Sequence, residues 1–97
     1  MKVRFVSPAS IELDEAIKYY DHQLPGLGFR FLQEVSSAIE RIKLIPEGWT
    51  KISKHTRRCS LKGFPYAIFY VIEKGEILIT AIAHLHRNPE NYKDRIS

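Results

Sequence analysis

The hydrophobic period of this chain changes once, and the change limits which folds are open to it. Between Ala9 and Ile45 apolar residues recur at intervals of three and four; from Arg57 onward they recur at intervals of two. The first spacing fills one face of a helix, the second one face of a strand. Pro25-Gly26 interrupts the helical stretch, since proline lacks the amide donor that a helix interior needs. Two amphipathic helices result. One carries Ala9, Leu13, Ala16, Ile17, Tyr20 and Leu24 on a face; the other carries Phe31, Leu32, Val35, Ala38, Ile39, Ile42 and Ile45 until Pro46 stops it. Joined by so short a turn they form an αα-hairpin whose apolar stripe requires a partner surface.

Strands supply that surface. Residues 2–6 alternate, with Val3 and Phe5 opposed to Arg4, and read as a short edge strand. Ser7-Pro8 then reads as the N-cap and first position of the first helix, the serine oxygen accepting an orphan amide. In residues 57–62 Cys59 and Leu61 point one way while Arg58, Ser60 and Lys62 point the other. Residues 66–72 and 77–83 are rich in β-branched and aromatic side chains, and Glu73-Lys74-Gly75-Glu76 between them has the glycine of a hairpin loop. Residues 47–56 show no regular spacing and read as a loop carrying Trp49. Asn88-Pro89 closes the last strand, and residues 90–96 form a polar tail with one helical turn. The predicted fold is α+β: an N-terminal strand and an α-helical hairpin packed on a small, mainly antiparallel sheet with a three-stranded C-terminal meander. Strand 66–72 is apolar on both faces although the hairpin covers only one, so the second face is either covered by the chain's own loop and tail or binds a partner.

With 97 residues there is room for one core, so residues 1–97 are read as a single domain, and a hydrophobic content of 44% excludes a disordered chain. The one cysteine, Cys59, cannot close an intrachain disulfide and reads as a small core residue. No stretch approaches the ~20 apolar residues of a membrane span, and no signal peptide is evident, which predicts a soluble cytoplasmic protein without membrane contact. The charge is uneven. Residues 1–48 hold six basic and seven acidic side chains; residues 49–97 hold nine and four. Lys51, Lys54, His55, Arg57, Arg58 and Lys62 follow one another with no acid among them, a pattern that attracts phosphate and releases counterions and equally suits a solvated edge strand.

Chemistry is concentrated at the end of the meander. His84 and His86 sit two residues apart, Arg87 follows, Tyr92 lies beyond the Asn-Pro turn, and Arg58 and Lys62 share a strand face. Imidazoles titrate near neutral pH and suit proton transfer, while the guanidinium fork suits charge developing on phosphorus, so His86, Arg58, His84 and Tyr92 are candidate catalytic residues for RNA cleavage through the 2′-hydroxyl. Lys51, Lys54, Arg57, Lys62 and Arg87 are candidate target-binding residues. No cofactor is implied, and the two histidines lack a third ligand at metal-binding spacing. Two broad readings follow: a protein that acts on a nucleic-acid or protein target, or a basic module that merely binds one.

Four runs carry a family resemblance. They are residues 12–20, Glu-Leu-Asp-Glu-Ala-Ile-Lys-Tyr-Tyr; Gly26-Leu27-Gly28-Phe29-Arg30-Phe31-Leu32; Arg58 to Lys62 with Phe64-Pro65-Tyr66; and residues 81–89, Ala-Ile-Ala-His-Leu-His-Arg-Asn-Pro. In this order and spacing they resemble the RelE/ParE superfamily of bacterial toxins, over nearly the whole chain. The resemblance implies the toxin of a type II toxin–antitoxin (plasmid stabilisation) system that arrests growth and is held by a cognate antitoxin. It implies one of two targets: DNA gyrase for ParE-like members, or the ribosome and its mRNA for RelE-like members, which are metal-independent, ribosome-dependent endoribonucleases. RelE-type nucleases carry an arginine early in the central meander strand where this chain has Ala67, whereas His86 and Tyr92 match nuclease positions. The Gly-Leu-Gly and Phe-Pro-Tyr runs lie closer to the ParE-like side, which is the reading favoured here.

Overall fold

The computed structural model describes residues 1–87 and 89–96. Its elements are β1 (Lys2–Phe5), α1 (Ala9–Gln23), α2 (Leu27–Leu44), β2 (Thr50–Lys51), β3 (Arg57–Ser60), β4 (Tyr66–Glu73), β5 (Glu76–His84) and a 3₁₀ segment (Pro89–Arg95). The strands form one sheet in the order β1-β5-β4-β3-β2. β1 runs parallel to β5 and every other neighbouring pair is antiparallel. The α+β architecture, the edge position of β1 and the C-terminal meander are as the sequence predicts.

Local boundaries differ where short-range chemistry overrides pattern. Ser7 caps nothing: α1 starts at Ala9, the cap position falls on Pro8, and no side chain caps it. The Ala9 amide instead donates to the Val6 carbonyl at 2.8 Å. Residues 47–56, read as a loop, contain the two-residue strand β2, which pairs Thr50 with Arg58 and Lys51 with Arg57. β3 stops at Ser60, two residues before its expected end. β5 ends at His84, so the Asn88-Pro89 pair is not what closes it, and Asn88 itself lies outside the described residues. Lys74 and Gly75 join β4 to β5 with φ of 51° and 76°. Positive φ at both central residues matches the right-handed twist of the flanking strands and makes this a tight two-residue hairpin.

The αα-hairpin packs on one sheet face. Ala9, Ala16 and Tyr20 of α1 and Phe31, Val35, Ala38 and Ile42 of α2 bury themselves against Cys59, Ile68, Tyr70, Ile77, Ile79 and Ile82. Leu24 and Ile45, placed on the same stripes by periodicity, are 58% and 62% exposed because each lies just past a helix end. The helices approach closely at Gly28, where a Cβ would lie 2.5 Å from the Ile17 carbonyl oxygen. Asp21 Oδ1 accepts the amides of Gly26 and Gly28 at 3.0 and 3.2 Å, satisfying orphan donors at the start of α2.

The opposite sheet face is smaller and carries its own cluster: Ala67, Phe69, Ala81, Ala83 and Tyr92, with Ile52 and Ile96 packed beside it. Loop and tail therefore cover much of it, the first of the two alternatives that the sequence leaves open. A register shift between Phe69 and Tyr70 makes this arrangement possible. Phe69 pairs with Ala81 and Tyr70 with Ile79, leaving Thr80 as the extra residue of a β-bulge, its hydroxyl donating to the Phe69 carbonyl at 3.3 Å. Without the bulge Ile79 and Ala81 would share a face; with it, Ile77, Ile79, Ile82 and His84 all turn towards the helices. Among the described residues no helix is long and apolar enough to cross a membrane.

Candidate functional site

Beyond β1, strand β5 has an unpaired edge, and side chains close it. Glu12 of α1 accepts the Ile82 amide at 3.0 Å. The Tyr92 hydroxyl accepts the His84 amide at 3.1 Å. Arg95 donates to the Thr80 carbonyl at 3.0 Å and grips both carboxylate oxygens of Glu12 at 2.8 and 2.9 Å. An uncovered strand edge is a template for pairing with another chain, and these three residues satisfy it from within. The paired fork raises the Arg95 pKa, chiefly through the hydrogen bond to Glu12. Sequence reasoning missed both Glu12 and Arg95. Neither sits in a periodic pattern, and an acid in a first helical turn reads as a dipole-favoured surface group.

Tyr92, a candidate catalytic residue in the sequence, sits in the structure as a buried cap on the β5 edge. It is 6% exposed, its ring lies 5.8 Å from that of Phe69, and its hydroxyl is engaged with backbone. Tyr92→Phe should cost about 1 kcal/mol of stability, the usual net worth of one such bond. A urea titration checks this; an unchanged midpoint would mean that the hydroxyl does not hold the strand edge.

His84 lies on the helix-facing side, its ring 4.8 Å from Tyr66 and 5.6 Å from His86. Its Nδ1 accepts the His86 amide at 3.1 Å, which requires that nitrogen to be unprotonated. Burial, then the nearby charges of Arg87 and His86, push the His84 pKa below the ordinary imidazole value. The folded state thus binds fewer protons than the unfolded chain, whose imidazole titrates near 6.5. Stability should fall as pH drops through about 6.5 towards the lowered folded value, and then level off. Urea midpoints at pH 7.5 and 5.5 measure the effect. His84→Asn, which keeps an acceptor for the His86 amide, should shrink the difference between the two midpoints.

The cations expected to gather on one water-facing patch separate instead. Arg58 is exposed on the second face, opposite Phe69 in the register. Lys51 and Arg57 pair with each other on the helix-facing side at the far end of the sheet, where they line a cleft of about 200 Å³ with Lys54 and Glu47. The Arg57 guanidinium donates to the Trp49 carbonyl at 2.8 Å, and beside it burial pushes the Tyr70 hydroxyl up to about 12. Lys62 leaves the strand: its amide donates to Glu34 at 2.9 Å and its side chain turns towards α2, away from Arg58. His84, exposed His86 and exposed Arg87 stay together at the end of β5. The physical reason is that β3 ends at Ser60 and that successive strand residues alternate faces, so neighbours in sequence are split between sides. Among the described residues no group of three His, Cys, Asp or Glu side chains is placed to hold a metal ion.

Among the described residues the centre of the second face is apolar. Ala67, Ala81 and Ala83 present methyl groups there, and Phe69 fills the space beside them.

Comparison with known proteins agrees with this architecture. The solved chromosomal ParDE toxin–antitoxin system from P. aeruginosa contains a chain of the same fold, with a TM-score of 0.78 at 18% identity, covering 89% of this chain and 97% of that one. No curated protein sequence matches. The family model described as the ParE toxin of the type II toxin-antitoxin system parDE matches residues 3–89, which span the helical hairpin and the sheet from Val3 to the end of β5. The chain belongs to that family of ParE toxins.

Proposed function

We propose that this toxin arrests bacterial growth in the cytoplasm by binding DNA gyrase, does not cut RNA, and is neutralised by a cognate antitoxin. The observation that carries this reading is the apolar centre of the second sheet face. Cleavage through the 2′-hydroxyl needs a base, an acid and cations converging within hydrogen-bond reach of one phosphate. Ala67, Ala81 and Ala83 offer none of these. His84 stands on the other face with Nδ1 occupied, and the Tyr92 hydroxyl is bonded to backbone. A binding toxin needs only a surface, and the cations at the end of β5 and along β2 and β3 provide two charged ones.

Induced expression tests the reading. Growth should stop, co-expression of the neighbouring small gene should restore it, and purified protein should inhibit supercoiling by gyrase while mRNA ends in induced cells stay unchanged. His86→Ala should leave the arrest within a few-fold of the parent. A loss on the order of 10²-fold, the size expected for an acid–base group, would favour the ribosome and its mRNA as target. Normal growth after induction would favour a module that only binds.

A further inference from the structure

A cleft of about 520 Å³ lies away from every candidate catalytic or target-binding residue named above except Lys62. It runs between the flank of α2 and the turn from β3 to β4. Tyr20 and Phe64, ring centroids 4.9 Å apart and edge to face, make an aromatic floor together with Leu27. Arg30 rises on the helix side and Lys62 on the turn side. Both are exposed, and neither side chain pairs with an acid among the described residues. Glu34, the acid in the cleft, is already compensated, since it bonds Arg41 at 3.2 Å and the Lys62 amide at 2.9 Å. The Tyr20 hydroxyl has no hydrogen-bond partner among the described residues. An aromatic floor between two unmatched positive charges is left.

From this arrangement we infer that the cleft is a docking site for an acidic peptide segment of a protein partner, one in which an apolar side chain is flanked by carboxylates. The apolar side chain would fill the floor between Tyr20 and Phe64, where aromatic surface gives the most energy per contact. Carboxylates on either side would meet Arg30, whose fork binds them bidentately, and Lys62. Nucleic acid fits less well. A phosphodiester backbone is held by a track of cations, and here two cations flank a pocket with a hydrophobic base. The inference concerns a surface and holds whether or not gyrase is the target.

The test titrates the whole isotope-labelled chain with a synthetic peptide carrying a central Leu-Phe pair between glutamates. Its glutamine counterpart and an oligothymidylate of equal charge serve as comparisons. The acidic peptide should shift the amide resonances of Leu27, Arg30 and Phe64, and the glutamine peptide should bind at least tenfold more weakly. The double variant Arg30→Glu with Lys62→Glu should lose at least tenfold in affinity for the acidic peptide. Both positions are exposed, so an unchanged melting curve will show that the variant is folded. No binding at millimolar peptide, equal affinity for the double variant, shifts confined to the end of β5, or the oligonucleotide occupying the cleft in the peptide's place would each overturn the inference.

Discussion

Gly28→Ala should lower the stability of this toxin by about 2 kcal/mol or more, which for a domain of this size is a fall in melting temperature of roughly 10 °C. On an isolated helix the same change would be favourable, since alanine is the better helix former. Here the new methyl group would sit 2.5 Å from the Ile17 carbonyl oxygen and 3.0 Å from Asp21 Cβ. The oxygen is backbone, locked into α1, and cannot step aside as a flexible side chain would. Relief requires the two helices to separate, which loosens the contact of Phe31 with Tyr20 and weakens the Asp21 bonds that start α2. Ser36→Ala, at an exposed position of the same helix, is the control and should be neutral or slightly stabilising. Thermal denaturation of the three proteins decides the matter. An unchanged midpoint for Gly28→Ala would mean that the helices are not packed as described.

Arg95→Ala should be nearly as costly, for an electrostatic reason. Glu12 and Arg95 are each about one-fifth exposed, and removing the guanidinium leaves a mostly buried carboxylate without its partner. For fully buried pairs such a break costs about 3–5 kcal/mol; with solvent reaching this one, about 2 kcal/mol is expected. The Thr80 carbonyl at the bulge loses its donor as well. Glu12→Gln should restore part of the loss when combined with Arg95→Ala, because the uncompensated charge is then gone, so the double change will be less than additive. Chemical denaturation of the single and double variants tests this cycle. Additive effects would show that the pair contributes nothing as a pair.

Much of this architecture can be read from the sequence, because it rests on period. The stripe through Phe31, Val35, Ala38 and Ile42 has no stable place except against a second apolar surface, and the alternation around Cys59 identifies β3 as a strand with one covered face. Both readings agree with the structure. The site was less legible. Period assigns a side chain to a face only while the strand is regular, and the bulge at Thr80 offsets the alternation of β5, turning His84 inward beside Tyr66. Lys62 likewise follows Arg58 at an even spacing, yet the strand has ended before it is reached. Glu12 and Arg95 escape sequence reading because their work is to satisfy backbone groups of another element, seventy residues away for Glu12 and Ile82. Pattern records which residues avoid water and carries no mark for which polar residue completes a distant hydrogen bond.

The parallel pairing of β1 with β5 joins Lys2 to Glu76 and Phe5 to Ile79, partners seventy-four positions apart. A ribosome makes β1 early and β5 late, so the opening strand must wait for most of the domain to be synthesised before it has anything to pair with. Arg95, which fastens the same strand, emerges later still. Because such long-range closure is slow, the nascent polypeptide cannot assume its finished shape while translation is in progress. Any surface that depends on the β1–β5 pairing is therefore complete only after synthesis has passed the last strand.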